Sequence, residues 1–191
     1  MAADNRSPAD TMVLDRQLVQ QRELLAKKAG ATTQSVTCWL NVWILANGNA
    51  RYVSAEMGYP GGDYAMLRAR SSSIGPWERF GVCRESVNGL TNIWSQHNGL
   101  AVSTELGYGG GDHAMLRARS SSIGSWEYFY TNSPGPGGQG AYTLFQSAAN
   151  GKYVAAEVGY GGDDHGMLRA RSASYDAWEL FYWKGDQVQV A

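Results

Sequence analysis

One block of sixteen residues occurs three times in this chain, and that repetition limits what it can fold into more than any other feature. The copies are Glu56–Ser71 (EMGYPGGDYAMLRARS), Glu105–Ser120 (ELGYGGGDHAMLRARS) and Glu157–Ser172 (EVGYGGDDHGMLRARS). Each is followed by a Trp-Glu pair and then a Phe: Trp77-Glu78 with Phe80, Trp126-Glu127 with Phe129, and Trp178-Glu179 with Phe181. The tryptophans stand 49 and 52 residues apart. A unit of this size is one supersecondary element that cannot bury a core alone, so the copies must close on one another.

Within a copy the patterning is that of short strands. Tyr52-Val53-Ser54-Ala55 and Tyr153-Val154-Ala155-Ala156 are β-type runs. The Gly-Tyr-Gly-Gly stretch after each reads as a hairpin turn with residues at positive φ. Met66-Leu67-Arg68-Ala69-Arg70 then alternates, placing Leu67 and Ala69 on one face and Arg68 and Arg70 on the other. A strand opens at Trp77 and Phe80. Another precedes each block, over Leu40–Ile44, Leu90–Trp94 and Tyr142–Gln146. Four strands in each of three copies give twelve. Three copies are too few for an ordinary propeller, whereas an all-β β-trefoil fits strand count, length and repeat number together. The trefoil is expected over residues 36–191, with repeats at about 36–86, 87–139 and 140–191.

The stretches Lys152-Tyr153-Val154-Ala155-Ala156-Glu157, Leu168-Arg169-Ala170 and Trp178-Glu179-Leu180-Phe181 resemble the fascin-like β-trefoil repeat, as do Arg51–Glu56 and Trp77–Phe80 in copy one. Copy two departs at Ala101, where the others have tyrosine. The resemblance implies the trefoil fold. For function it implies either an actin-binding or other protein-interaction scaffold, or a single domain accompanying glycan-active enzymes.

Residues 1–35 read differently. Ser7 suits an N-cap, Pro8 the first helical position, Asp10 the first turn, and Gly30 the position past the end. A helix over 8–29 is therefore expected, with Leu14, Leu18 and Leu25 on one seam that would dock on the trefoil, dock it onto a larger assembly, or form a homo-oligomer. Cys38 and Cys83 are the only cysteines. The plainer expectation is two separate reduced core thiols, a disulfide requiring an oxidising compartment. Met1–Pro8 lacks the regions of a signal peptide, so the expectation is a cytoplasmic chain, or a secreted one whose leader has been removed.

A net charge of −1 argues against a polyelectrolyte grip on nucleic acid. No apolar run has the ~18 residues of a membrane span. Leu67, Ala69, Trp77, Phe80 and their counterparts are expected in the core. Glu78, Glu127 and Glu179 are expected to pair with an arginine or accept backbone N–H bonds. The Tyr-Gly-Gly-Asp turn is the exception, because loops on a rigid scaffold carry function more often than its strands do. A sugar needs an aromatic surface for its C–H face and polar groups for its hydroxyls. Tyr59, Tyr108 and Tyr160 can supply the first. Asp63, Asp112, Asp163, His113 and His165 can supply the second, with Gly61, Gly62, Gly110, Gly111, Gly161 and Gly162 allowing close approach. Catalysis uses one asymmetric constellation, and these groups come in threes, so no enzyme, cofactor or metal site is expected. The expected function is a non-catalytic, lectin-like carbohydrate-binding module for neutral glycans with up to three equivalent sites.

Overall fold

The computed structural model describes residues 35–86, 88–133, 135–136 and 142–188, together with Arg16, Gln17 and Gln20. The elements fall into three sets of four strands. The first is β1 (Val36–Ala46), β2 (Arg51–Glu56), β3 (Met66–Ser71) and β4 (Phe80–Glu85). The second is β5 (Leu90–Ser95), β6 (Ala101–Glu105), β7 (Met115–Ser120) and β8 (Phe129–Thr131). The third is β9 (Phe145–Ser147), β10 (Tyr153–Glu157), β11 (Met167–Ser172) and β12 (Phe181–Val188).

The outer strands of each set form a barrel. β1 pairs with β12 and β4, β4 with β5, β5 with β8, and β8 with β9. A bridge between Thr143, just ahead of β9, and Phe181 closes the circuit. The inner strands form hairpins β2–β3, β6–β7 and β10–β11, each with a bulge near its start. The hairpins meet in cyclic order, Met66 opposite Arg117, Met115 opposite Arg169, and Met167 opposite Arg68. Met66, Met115 and Met167 are buried together where they converge. This is a β-trefoil-like arrangement, and repetition in sequence explains it: each hairpin leaves one side uncovered until its two copies supply the wall.

The core repeats with the sequence. Val53, Val102 and Val154, then Leu67, Leu116 and Leu168, then Phe80, Phe129 and Phe181 are buried in one cluster. Ala69, Ala118 and Ala170 lie among them, each donating its backbone N–H to the residue before β11, β3 or β7 of another repeat. Edge-on packing of Trp39 against Trp183, with centroids 5.4 Å apart, fills the end where β1 meets β12.

Three expectations are corrected, and one contrast that the alternation did not mark is found. The N-terminal helix is not among the elements found: the described fold is all-β, and among the described residues no helix reaches seven residues. The stretch 8–29 lies outside the described residues apart from Arg16, Gln17 and Gln20. Cys38 and Cys83 are not separate thiols. They stand opposite each other in the β1–β4 register, their Cα atoms 4.1 Å apart, and are joined by a disulfide. Trp77, Trp126 and Trp178 are not core residues but are 36%, 39% and 41% exposed. Each lies in the tight turn before a strand, and the Phe that follows enters the barrel instead. Finally, Arg68 is fully buried although Arg70 on the same strand face is exposed, because the hairpin junction closes over the start of that face.

Candidate functional site

Each block leaves the end of its second strand at a buried glutamate, turns through the Gly-Tyr loop, and makes one 3-10 turn: Gly61–Asp63, Gly110–Asp112 or Gly162–Asp164. The first residue of each turn has φ near +60°, a conformation that costs any residue with a Cβ. The turn occupies the same three positions of the block in every copy, which corrects the expected assignment in the third. Asp164, not Asp163, is the counterpart of Asp63 and Asp112, and Asp163 stands where the others have Gly62 and Gly111.

Arginines organise the loops. Glu56 accepts from Arg68 Nε at 2.9 Å and from Arg70 Nη2 at 2.8 Å. Glu157 accepts from Arg169 Nε at 2.8 Å and Arg171 Nη2 at 2.8 Å. Glu105 takes a bidentate pair from Arg119 at 2.6 and 2.7 Å. Burial alone would lower the pKa of Arg68, but its hydrogen bonds to Glu56 and the charge of that carboxylate outweigh it and raise the pKa. The hydrogen bond to Glu105 likewise raises that of Arg119, against the effect of burial.

These arginines also stitch one repeat to the next. Arg68 donates to the Asp163 carbonyl and Arg169 to the Gly111 carbonyl. Arg117 donates to the carbonyls of Tyr64 at 2.9 Å and Gly61 at 3.0 Å.

The predicted aromatic residues of the loop are held from within. Tyr59 Oη accepts from Arg68 at 2.6 Å, Tyr108 Oη from Arg117 at 3.0 Å, and Tyr160 Oη from Arg171 at 2.9 Å. Guanidinium carbons lie 4.8, 5.9 and 5.2 Å from the three ring centroids, from Arg68, Arg117 and Arg169. His113 and His165 donate from Nδ1 to the carbonyls of Tyr108 and Tyr160, at 3.0 and 2.9 Å, so they brace their own turns. Gly61, Gly62, Gly110, Gly111, Gly161 and Gly162 are exposed, as are Asp163 and Asp164, while Asp63 and Asp112 are half-buried. A Cβ at any of those six glycines would have nothing within 4 Å. The loop therefore presents backbone and carboxylates, with Tyr59 and Tyr108 half-buried behind them and Tyr160 exposed, all three tied to arginines by their hydroxyls.

Beside each loop stands an exposed tryptophan that the sequence pattern assigned to the core, joined by Tyr64 in the first copy and Tyr160 in the third. Trp77, Trp126 and Trp178 rest their ring edges against Gly58, Gly107 and Gly159, the residues just before the three tyrosines. Each tryptophan is fixed by the glutamate after it, whose carboxylate accepts a backbone N–H three residues back: Glu78 from Gly75, Glu127 from Gly124, and Glu179 from Asp176, at 2.7, 2.7 and 2.8 Å. The signal was present in Gly75-Pro76 and Gly124-Ser125, turn residues that place the indole before the strand rather than within it. Among the described residues no group of three or more His, Cys, Asp or Glu is arranged to hold a metal ion. Nor is any helix among them long and apolar enough to cross a membrane.

No family model matches this sequence, and no curated protein matches it. Solved structures do. A designed 3-fold symmetric protein, ThreeFoil, superposes with a TM-score of 0.58 at 17% identity over 78% of this chain and 99% of its own. A Caenorhabditis elegans protein with unknown function gives 0.61 at 11% identity over 82% of this chain and 99% of its own. An exo-beta-1,3-galactanase from Clostridium thermocellum gives 0.57 at 12% identity, covering 84% of this chain but 31% of the enzyme. These likenesses define the fold class: the chain is a β-trefoil-like protein.

Proposed function

We propose that this protein is a non-catalytic carbohydrate-binding module with three equivalent sites, each built from a tryptophan and the loop it abuts. The observation that carries this reading is the recurrence of one exposed indole, Trp77, Trp126 or Trp178, at the same place beside an exposed glycine-and-aspartate turn. An indole face accepts the C–H face of a pyranose, and Asp63, Asp112, Asp163 and Asp164 offer carboxylates for its hydroxyls. Tyr59, Tyr108 and Tyr160, tethered to arginines through their hydroxyls, hold the loops in shape. Single sites of this kind are weak, and three on one rigid body raise avidity for a multivalent surface.

The rival reading is a fascin-like protein-interaction scaffold, with actin as the partner implied by that resemblance. Binding to a glycan array separates the two, since the carbohydrate reading requires array binding that falls when the tryptophans are replaced. Co-sedimentation with actin filaments, with no array binding, would favour the scaffold instead.

A further inference from the structure

The three-fold pattern breaks on the outer wall of the barrel, and the break opens a cleft. Where each outer strand pair meets its hairpin, three outward residues lie side by side across the ladder. In the first place these are Tyr182, Leu45 and Tyr52. In the second they are Gly81, Trp94 and Ala101. In the third they are Tyr130, Gln146 and Tyr153.

The first two rows are filled from within the fold. Tyr142 packs on Tyr182 at 4.4 Å between centroids, and Trp43 on Tyr52 at 5.6 Å. Trp94 lies flat over Gly81, where a Cβ would come within 2.0 Å of the indole, and is fully buried. The third row is filled at one end only. Tyr153 packs edge-on against Tyr175 at 5.6 Å, as Tyr52 does against Trp43, but among the described residues no ring packs on Tyr130, which is 45% exposed. Between Tyr130 and Tyr153 is a cleft of about 190 Å³, completed by Thr131, Asn132 and Leu144. That is smaller than the ~300 Å³ at the low end of drug-sized pockets, which suits one ring rather than a chain.

The polar groups define the ligand. Gln146 lines the cleft and donates one N–H to the Gly151 carbonyl at 2.9 Å, its Oε1 and second N–H having no hydrogen-bond partner among the described residues. Asn132 is committed to the backbone of Leu144 and Tyr142, and Thr131 to Ser133. The hydroxyls of Tyr130 and Tyr153 have no hydrogen-bond partner among the described residues. Among the described residues no charged side chain lines the cleft. Two aromatic walls, one amide and two free phenols suit a neutral ring with an apolar face and a hydroxylated rim.

From this we infer a fourth site, found only where the second repeat meets the third, in which Tyr130 and Tyr153 flank one neutral pyranose and Gln146 hydrogen-bonds its hydroxyls. It is separate from the tryptophan sites and stands whether or not they bind.

The test uses the full chain carrying ¹³C-labelled tyrosine, titrated with the methyl glycosides of glucose, galactose, mannose and N-acetylglucosamine. Tyr130→Phe and Tyr153→Phe assign the two signals. At least one glycoside is expected to shift both signals saturably. Gln146→Leu, which installs the residue of the first row, should weaken that binding about ten-fold, as losing one or two hydrogen bonds does. Tyr153→Ala should abolish it. Replacing Trp77, Trp126 and Trp178 together should leave it unchanged. The inference is overturned if no glycoside shifts the two signals, if Gln146→Leu binds as tightly as the parent, or if the shifts vanish in the tryptophan variant while its thermal unfolding remains cooperative.

Discussion

The indole edge of Trp77 lies against Gly58, where a Cβ would sit 3.5 Å from Cη2. The same relation holds for Trp126 over Gly107 at 3.7 Å and, more tightly, for Trp178 over Gly159 at 2.9 Å. A methyl group is therefore admissible at residue 58 and displaces the ring at residue 159. Because Trp126 is 39% exposed, Trp126→Ala should cost about 1–2 kcal/mol rather than the ~3–5 of a fully buried tryptophan. Urea denaturation of the single variant checks this, and a loss above that range would place the ring in the core.

Gly61 and Gly62 are adjacent, exposed and unhindered, yet they should respond differently. Gly61 has φ +62°, whereas Gly62 does not lie in the left-handed region. Gly61→Ala should lose about 1–2 kcal/mol, the cost of a Cβ in that conformation, and Gly62→Ala should stay within about 0.5 kcal/mol. Thermal unfolding of the two single variants separates them. The sequence pattern also pointed to Gly107 as a positive-φ residue. It is not one, and Gly107→Val should act through crowding of Trp126 instead.

Glu56 is 3% exposed and answers two arginines, one of them fully buried. Removing the carboxylate leaves Arg68 charged in a site that water does not reach. Glu56→Ala should therefore destabilise by about 3–5 kcal/mol. Chemical denaturation measures the loss, and a variant within 1 kcal/mol of the parent, on the same ~1.4 kcal/mol-per-decade scale, would mean the guanidinium finds water after all.

Tyr128 is buried, and its hydroxyl has no hydrogen-bond partner among the described residues. Burial, with the nearby charges of Glu85 and Glu127, raises its pKa from 10.0 to about 12. In the unfolded chain the phenol ionises near 10, so between about pH 10 and 12 the unfolded state binds fewer protons than the native state. The stability from this group is complete below pH 10 and falls above it, with a slope of up to about 1.4 kcal/mol per pH unit. Tyr128→Phe should flatten that decline and leave stability at pH 7 nearly unchanged, as unfolding titrations at a series of pH values would show.

How much the sequence disclosed depended on what repeats can report. Leu67, Ala69 and Phe80, with their copies, occupy the core as their period suggested, because alternation along a strand fixes which side chains face inward. What alternation does not register is the turn before a strand, and so Trp77 was taken for a core residue. Nor does it report the register between strands distant in sequence, which sets Cys38 directly opposite Cys83. Arg68 shares a face with Arg70 but is sealed by a hairpin from another repeat, a fact that lies in how the copies meet. In the third loop, the pair Asp163-Asp164 blurred which aspartate matched Asp63, although the gapless alignment of the three blocks puts Asp164 there, as the 3-10 turn does.

The central claim is that the three tryptophans form the working surface. A glycan array probed with the parent protein and with the Trp77→Ala/Trp126→Ala/Trp178→Ala variant, its fold checked by cooperative unfolding, tests it most directly. The account predicts binding to neutral glycans by the parent and a loss of about 10²-fold or more in avidity for the variant. No binding by the parent, or equal binding by a folded variant, would contradict it.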